Sequence, residues 1–199
     1  MISKPTTVFT VKKIHLRMID VILSGLVEQV NTYLKQQFNL NEDIVVLSPI
    51  ILSDGSVPQG TANKVVVMLT NISVDESQKN VYHPTRNPNT NPLPFLEYSF
   101  IAAAHFEAVN YAIGLKSIFA IAEYFSSSAG HDSQEVAKRD SRMLELNVKM
   151  LHQTDDQLAT LWSRIGAKYM PSLLYKIQVI LAPATGRPER PVLERKQPE

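Results

Sequence analysis

The chain has 199 residues, of which 44% are hydrophobic and 20% are charged, and its formal net charge at pH 7 is +1. This composition is typical of one soluble globular domain and excludes a wholly disordered chain or a coiled coil. The net charge of +1 also provides no global electrostatic field that would attract nucleic acid or an anionic membrane. Because no cysteine is present, disulfides, thiolate catalysis and zinc–thiolate sites are excluded.

The sequence predicts three parts: an N-terminal extension over 1–17, a single domain over 18–182 and a flexible, proline-rich, charged tail over 183–199. No apolar run approaches the roughly 20 residues that a transmembrane helix needs. The first residues also lack the apolar segment and cleavage site of a secretory signal. We therefore expect folding in the cytoplasm and no membrane insertion.

Apolar residues at three- and four-residue spacings predict an amphipathic first helix over Met18–Phe38. Gly25 lies inside it, and we expect a packing reason for this glycine. Two β-branched runs, DIVVLSPIIL and KVVVMLTNI, predict neighbouring and largely buried strands, because turn residues separate them. Residues 75–94 are rich in proline and asparagine and predict a long surface loop, which is a candidate docking surface.

The next segments, FLEYSFIAAAH and FEAVNYAIGLKSIFAIAEYF, predict a strand and then a long helix. That helix carries apolar residues almost all round, so we expect it to be covered on more than one side. The segment LELNVKM then alternates as a strand with one buried face. The residues expected on that face are Leu144, Leu146, Val148 and Met150.

A short helix and a last strand end the domain. Thr154 and Gln157 fit a capping box, and the apolar stripe that follows ends at Gly166, where a left-handed turn is expected. Pro171 prevents continuation of the helix, and the alternating residues after it predict a strand. We define a structural corner whose members are Trp162, Gly166, Tyr169, Pro171 and Tyr175.

The predicted order α-β-β-β-α-β-α-β indicates an α/β (α+β) fold, in which helices flank a single-layer mixed β-sheet. We find no nucleotide-binding loop and no metal-binding spacing among the five histidines. SSSAGHD could be read as a hydrolase-like Ser/His/Asp grouping, but a solvated loop is favoured, because triads are assembled from separate elements. Asp155 and Asp156 could be an acid or metal pair, but a first helical turn favours acids anyway.

We therefore predict no enzyme activity, no catalytic residue, no cofactor, no metal and no small-molecule substrate. Trp162, Tyr169 and Tyr175 could form a base-stacking platform, although core packing is favoured. Lys168 lies in the turn between them. It either caps the helix carbonyls or contacts a partner, and both interpretations stay open.

Three segments resemble the N-terminal domain of the cap, or tail-terminator, proteins of extracellular contractile injection systems. These systems are phage-tail-like particles of the antifeeding-prophage and virulence-cassette type. The segments are Met18-Ile19-Asp20, Asn110-Tyr111 and, above all, LWSRIGAKYMPSLLYKIQVI. The resemblance covers about residues 18–181. The segment of 1–17 and the short charged tail depart from it.

The resemblance implies a structural protein that ends the sheath and inner tube as a ring, generally of six copies, without catalytic residues. Its partners are then other copies of itself, sheath protein and inner-tube protein, in a particle that is released or anchored. Candidate interface residues, chosen for charge-assisted contacts, are Arg86, Lys168, Arg187, Arg190 and Arg195. The alternative is an adaptor or binding module of a multiprotein assembly, with nucleic acid as a candidate partner. Only the aromatic strand and the four cations of the tail favour it.

Overall fold

The computed structural model of the protein describes residues 18–74, 96–127 and 143–181, together with Val136 and Arg139. The extension 1–17, the loop 75–94, the tail 183–199 and most of SSSAGHD lie outside these residues. The described helices and strands, in chain order, are α1 (Met18–Phe38), β1 (Val45–Leu47), β2 (Lys64–Val74), β3 (Leu96–His105), α2 (Tyr111–Ser126), β4 (Met143–Met150), α3 (Asp155–Ile165) and β5 (Ser172–Leu181).

This order confirms the predicted α-β-β-β-α-β-α-β arrangement. The strands form one sheet in the order β1-β2-β3-β5-β4. β1 pairs with β2 in parallel, and the other neighbours are antiparallel, so the sheet is mixed, as expected. In the described residues, β1 and β4 are therefore the two edge strands.

β1 is shorter than the sequence predicted, because only Val45–Leu47 of the run DIVVLSPIIL is a strand. Ser48 still donates its backbone N–H to the Val67 carbonyl at 3.1 Å, but Pro49 follows and has no N–H to continue the ladder. Residues 48–63 then form the connection that a parallel pair requires. Ile50 in this connection is buried against the sheet.

The two faces of the sheet carry two separate hydrophobic clusters. On the first face, α1 and α2 pack over alternate residues of the strands, including Val65, Phe100, Tyr175 and Ile177. On the second face, α3 packs with Trp162 over the intervening residues, including Ile101. The period of two along each strand places neighbouring residues in different clusters.

Asn31 attaches the edge strand β1 to α1 and is itself buried. Its side-chain amide donates to the Val45 carbonyl at 2.8 Å, and its side-chain oxygen accepts from the Val45 N–H at 2.8 Å. The same oxygen accepts from the Ile44 N–H at 3.0 Å. The backbone N–H and carbonyl of Val45 face away from β2. Asn31 therefore makes the hydrogen bonds that a further strand would otherwise make at this edge.

Gly25 has the packing role expected of it. A Cβ atom at this position would lie 3.2 Å from both Cγ atoms of Val136, which is tighter than an ordinary contact. Arg139 reinforces the same approach to α1, since its guanidinium forms a 2.7 Å ion pair with Glu28. The absence of a side chain at Gly25 therefore lets Val136 pack closely against α1.

The predicted buried face of β4 is correct for Leu146 and Val148, which are 4% and 7% exposed, but wrong for Met150. Met150 is 52% exposed. It is the last residue of an edge strand, so a neighbouring strand flanks it on one side only. The side chain of Leu144 lies outside the described residues.

Tyr175 is fully buried between Phe100 and Phe125, whose ring centroids lie 5.2 and 4.7 Å from its own. Its hydroxyl has no hydrogen-bond partner among the described residues. Since an unpartnered buried hydroxyl costs free energy, we expect Tyr175→Phe to leave the free energy of unfolding unchanged or to raise it by about 1 kcal/mol. Urea unfolding at neutral pH measures this change, and a clear loss of stability would show that the hydroxyl has a partner.

The same substitution should change the response to alkaline pH. Burial raises the pKa of the Tyr175 hydroxyl in the folded protein. The hydroxyl therefore ionises more easily in the unfolded chain. This difference leaves the free energy of unfolding unchanged below the unfolded pKa of about 10 and lowers it as the pH rises further toward the folded value. Urea unfolding at about pH 8 and about pH 11 should show that Tyr175→Phe loses less stability than the native protein over this interval.

Candidate assembly surfaces

Within the described residues, no group of three or more His, Asp or Glu side chains could hold a metal ion. None of the helices in this part of the chain is both long and apolar enough to span a bilayer. Asp155 and Asp156 lie in the first turn of α3, where the helix dipole stabilises acidic side chains.

The corner begins with the predicted capping box at the start of α3. Thr154 accepts from the backbone N–H of Gln157 at 3.4 Å, and the Gln157 side chain accepts from the backbone N–H of Thr154 at 3.1 Å. At the other end, Gly166 has φ 76° and donates its N–H to the Trp162 carbonyl at 3.1 Å. This left-handed conformation suits glycine.

The end of the turn is tied to the sheet, since Pro171 accepts a 2.8 Å hydrogen bond from the backbone N–H of Ala104 in β3. Trp162 is buried under the turn, and Tyr169 contacts it edge-on with 5.8 Å between ring centroids. Tyr169 is nevertheless 62% exposed. The turn therefore covers the tryptophan and presents a tyrosine ring at the surface.

Tyr175, the remaining corner residue, does not lie beside Trp162. The two side chains belong to different clusters on opposite faces of the sheet, and both are buried. Trp162, Tyr169 and Tyr175 therefore do not form a stacking platform for bases, which would require exposed rings on one surface.

Of the five candidate interface residues, Lys168 is the one that the structure describes. It is exposed in the turn between α3 and β5. Arg86, Arg187, Arg190 and Arg195 lie outside the described residues, so their roles stay predictions. Lys168 and Tyr169 together make this turn a candidate docking surface.

The part of the second sheet face farthest from α3 carries a row of polar side chains. Glu97 accepts from Lys176 and from Gln178, in both cases at 2.9 Å. Glu97 lies opposite Gln178 in the strand register, and Ser99 lies opposite Lys176. These cross-strand contacts satisfy the carboxylate and leave a polar ledge at the end of β3 and β5 away from the corner.

The largest difference from the sequence analysis concerns α2, which was expected to be covered on more than one side. It buries one side only, and within the described residues its opposite side is exposed. We call this side the outer face of α2, and its residues are Tyr111, Leu115, Lys116, Phe119 and Glu123. The apolar residues all round the α2 sequence indicated this surface. They did not show that no described part of the chain packs against its outer side.

Contacts at the N-terminal end of α2 fix the position of this helix. The side-chain oxygen of Asn63 accepts from the Glu107 backbone N–H and from the Asn110 side chain, both at 3.1 Å. Gly114 packs so closely on Phe106 that an added Cβ atom would lie 2.8 Å from the ring. The outer face of α2 is therefore held on a well-anchored helix.

The described residues define a sheet-and-helix domain whose candidate functional features are two surfaces, the turn around Lys168 and the outer face of α2. A sequence model of the Pvc16 N-terminal domain family matches residues 22–195. This match spans most of the chain, and the chain therefore belongs to the Pvc16 N-terminal domain family. The resemblance identified from the sequence is confirmed.

Two solved structures show a partial likeness to this chain. One is a cryo-EM structure described as the PVC sheath/tube terminator in the extended state, with TM-score 0.48, 11% identity, and coverage of 86% of this chain and 57% of that chain. Another is the anti-feeding prophage cap, described as a tube terminating cap, with TM-score 0.47, 11% identity, and coverage of 91% and 60%. This chain thus spans less than two thirds of either protein. No curated protein matches it.

Proposed function

We propose that this protein is a structural cap that ends the sheath and inner tube of a contractile injection system as a ring of six copies. The observation that supports this function is the family match over residues 22–195. In this proposal the subunits fold in the cytoplasm and join a phage-tail-like particle during its assembly.

The size of the chain permits such a ring. A compact domain of 199 residues has a radius of gyration of about 16 Å, which corresponds to a sphere of about 21 Å radius. Six such spheres in contact leave a central opening of about 21 Å radius, a size that suits a tube lumen. One face of the ring matches the last tube or sheath ring, and the other accepts no further ring, so the polymer ends.

The docking surfaces in this proposal include the turn with Lys168 and Tyr169, the loop 75–94 and the tail 183–199. Lys168 is exposed, so a charge-assisted contact to an acidic partner surface costs little desolvation. Arg86, Arg187, Arg190 and Arg195 provide further cations for the same kind of contact.

Attachment to particles tests this function. The tagged protein should be found at one end of sheathed particles by immunogold electron microscopy, and Lys168→Glu should reduce the labelled fraction several-fold. Lys149→Glu is a matched control, because Lys149 is also exposed but lies on the edge strand β4. Label along the whole sheath, or none on particles at all, would contradict the proposal.

A further inference from the structure

The outer face of α2 is a surface that the proposed cap function does not explain. Tyr111, Leu115 and Phe119 follow one another at four-residue spacing and form a stripe along the helix. Phe119 is 65% exposed, and the other two are more than 40% exposed. Counting about 200 Å² for each fully exposed side chain, these three residues present about 300 Å² of apolar surface. A patch of this size on a single chain is often an interaction site.

Two opposite charges flank Phe119, the last residue of this stripe. Lys116 precedes Phe119 by three residues and Glu123 follows it by four, so all three lie on one face of the helix. The two charges are about 10 Å apart along the helix axis. Both side chains are exposed, and neither forms an ion pair within the described residues.

We propose that a second copy of this chain docks on the outer face of α2 through a two-fold axis near Phe119. In this arrangement the two α2 helices run antiparallel, and the two Phe119 rings meet at the centre. Lys116 of each copy then faces Glu123 of the other, because a two-fold axis exchanges the positions before and after its centre. The charge pattern of one helix is thus complementary to itself.

The area indicates a weak dimer. About 300 Å² per copy is less than half of what each partner contributes to an interface of standard size, so dissociation in the micromolar range or weaker is expected. A two-fold contact uses the same patch on both copies and therefore stops at two. The dimer covers the outer face of α2 in free subunits. The contacts within the ring then involve other surfaces. The dimer is independent of the proposed cap function.

Charge reversal with sedimentation equilibrium of the full chain tests the dimer. Each single change, Lys116→Glu or Glu123→Lys, turns two attractive pairs into two repulsive ones, so the dissociation constant should rise roughly tenfold. The double variant Lys116→Glu/Glu123→Lys restores both pairs with exchanged signs. Its dissociation constant should return to near the native value.

Phe119→Glu should abolish the dimer, whereas Val57→Glu should leave it unchanged, because Val57 is 53% exposed on a different part of the surface. Circular dichroism verifies that every variant is folded. A native protein that is monomeric at all concentrations would overturn the proposal, as would a double variant that associates no better than the single ones. Neither result bears on the cap function, which is measured at particle ends.

Discussion

Replacing Trp162 by alanine is expected to lower the free energy of unfolding by roughly 3 to 5 kcal/mol. The indole is 4% exposed and lies in the cluster of the second sheet face with Ile50, Val66 and Ile101. α3 contributes this one fully buried side chain to the sheet, so its removal leaves a cavity and detaches the helix. The indole N–H has no partner among the described residues, so the loss is one of packing.

Chemical unfolding followed by circular dichroism measures this effect, since the variant lacks the only tryptophan of the chain. Arg164→Ala is the matched control, because Arg164 is exposed on the same helix and its loss should cost less than about 0.5 kcal/mol. If Trp162→Ala loses less than about 1 kcal/mol, the indole is not part of the core and the turn is a contact surface instead.

Asn31→Ala should cost roughly 2 to 4 kcal/mol, because it removes the partner of three backbone groups in Ile44 and Val45. These groups are near or within the buried start of β1, where water replaces the lost hydrogen bonds poorly. We also expect faster amide hydrogen exchange at Val45, since its N–H bonds to the Asn31 side chain.

Thr32→Ala is the matched control for Asn31. Thr32 is the next residue of α1, is exposed, and bonds only to the Glu28 carbonyl of its own helix in the described contacts. Alanine is also the better helix former, so this change should be close to neutral. Equal stability losses in both variants would show that Asn31 acts through α1 itself and not through the edge strand.

Local signals gave the elements that the structure confirms. The apolar periodicity of α1 and the capping box and glycine of α3 depend on residues close in sequence, and their bounds could be predicted from these residues alone. The alternation of β5 likewise placed Tyr175 and Ile177 on a buried face.

The features that the sequence did not predict depend on contacts between residues that are far apart in the chain. Met150 has the right parity to be buried, yet its position at the end of an edge strand leaves it exposed. Asn31 stands in α1 next to Val30 and three residues before Leu34, but only the folded chain shows that it meets β1. The outer face of α2 could not be identified because an apolar sequence does not say which molecule covers it.

Electron microscopy of particles from cells that lack this gene tests the cap function most directly. A terminator limits polymer growth, so we expect overlong, ragged or absent sheaths and tubes in the deletion strain, and normal particles when the gene is restored. Particles of normal length with closed, intact upper ends in the deletion strain would contradict the proposed function.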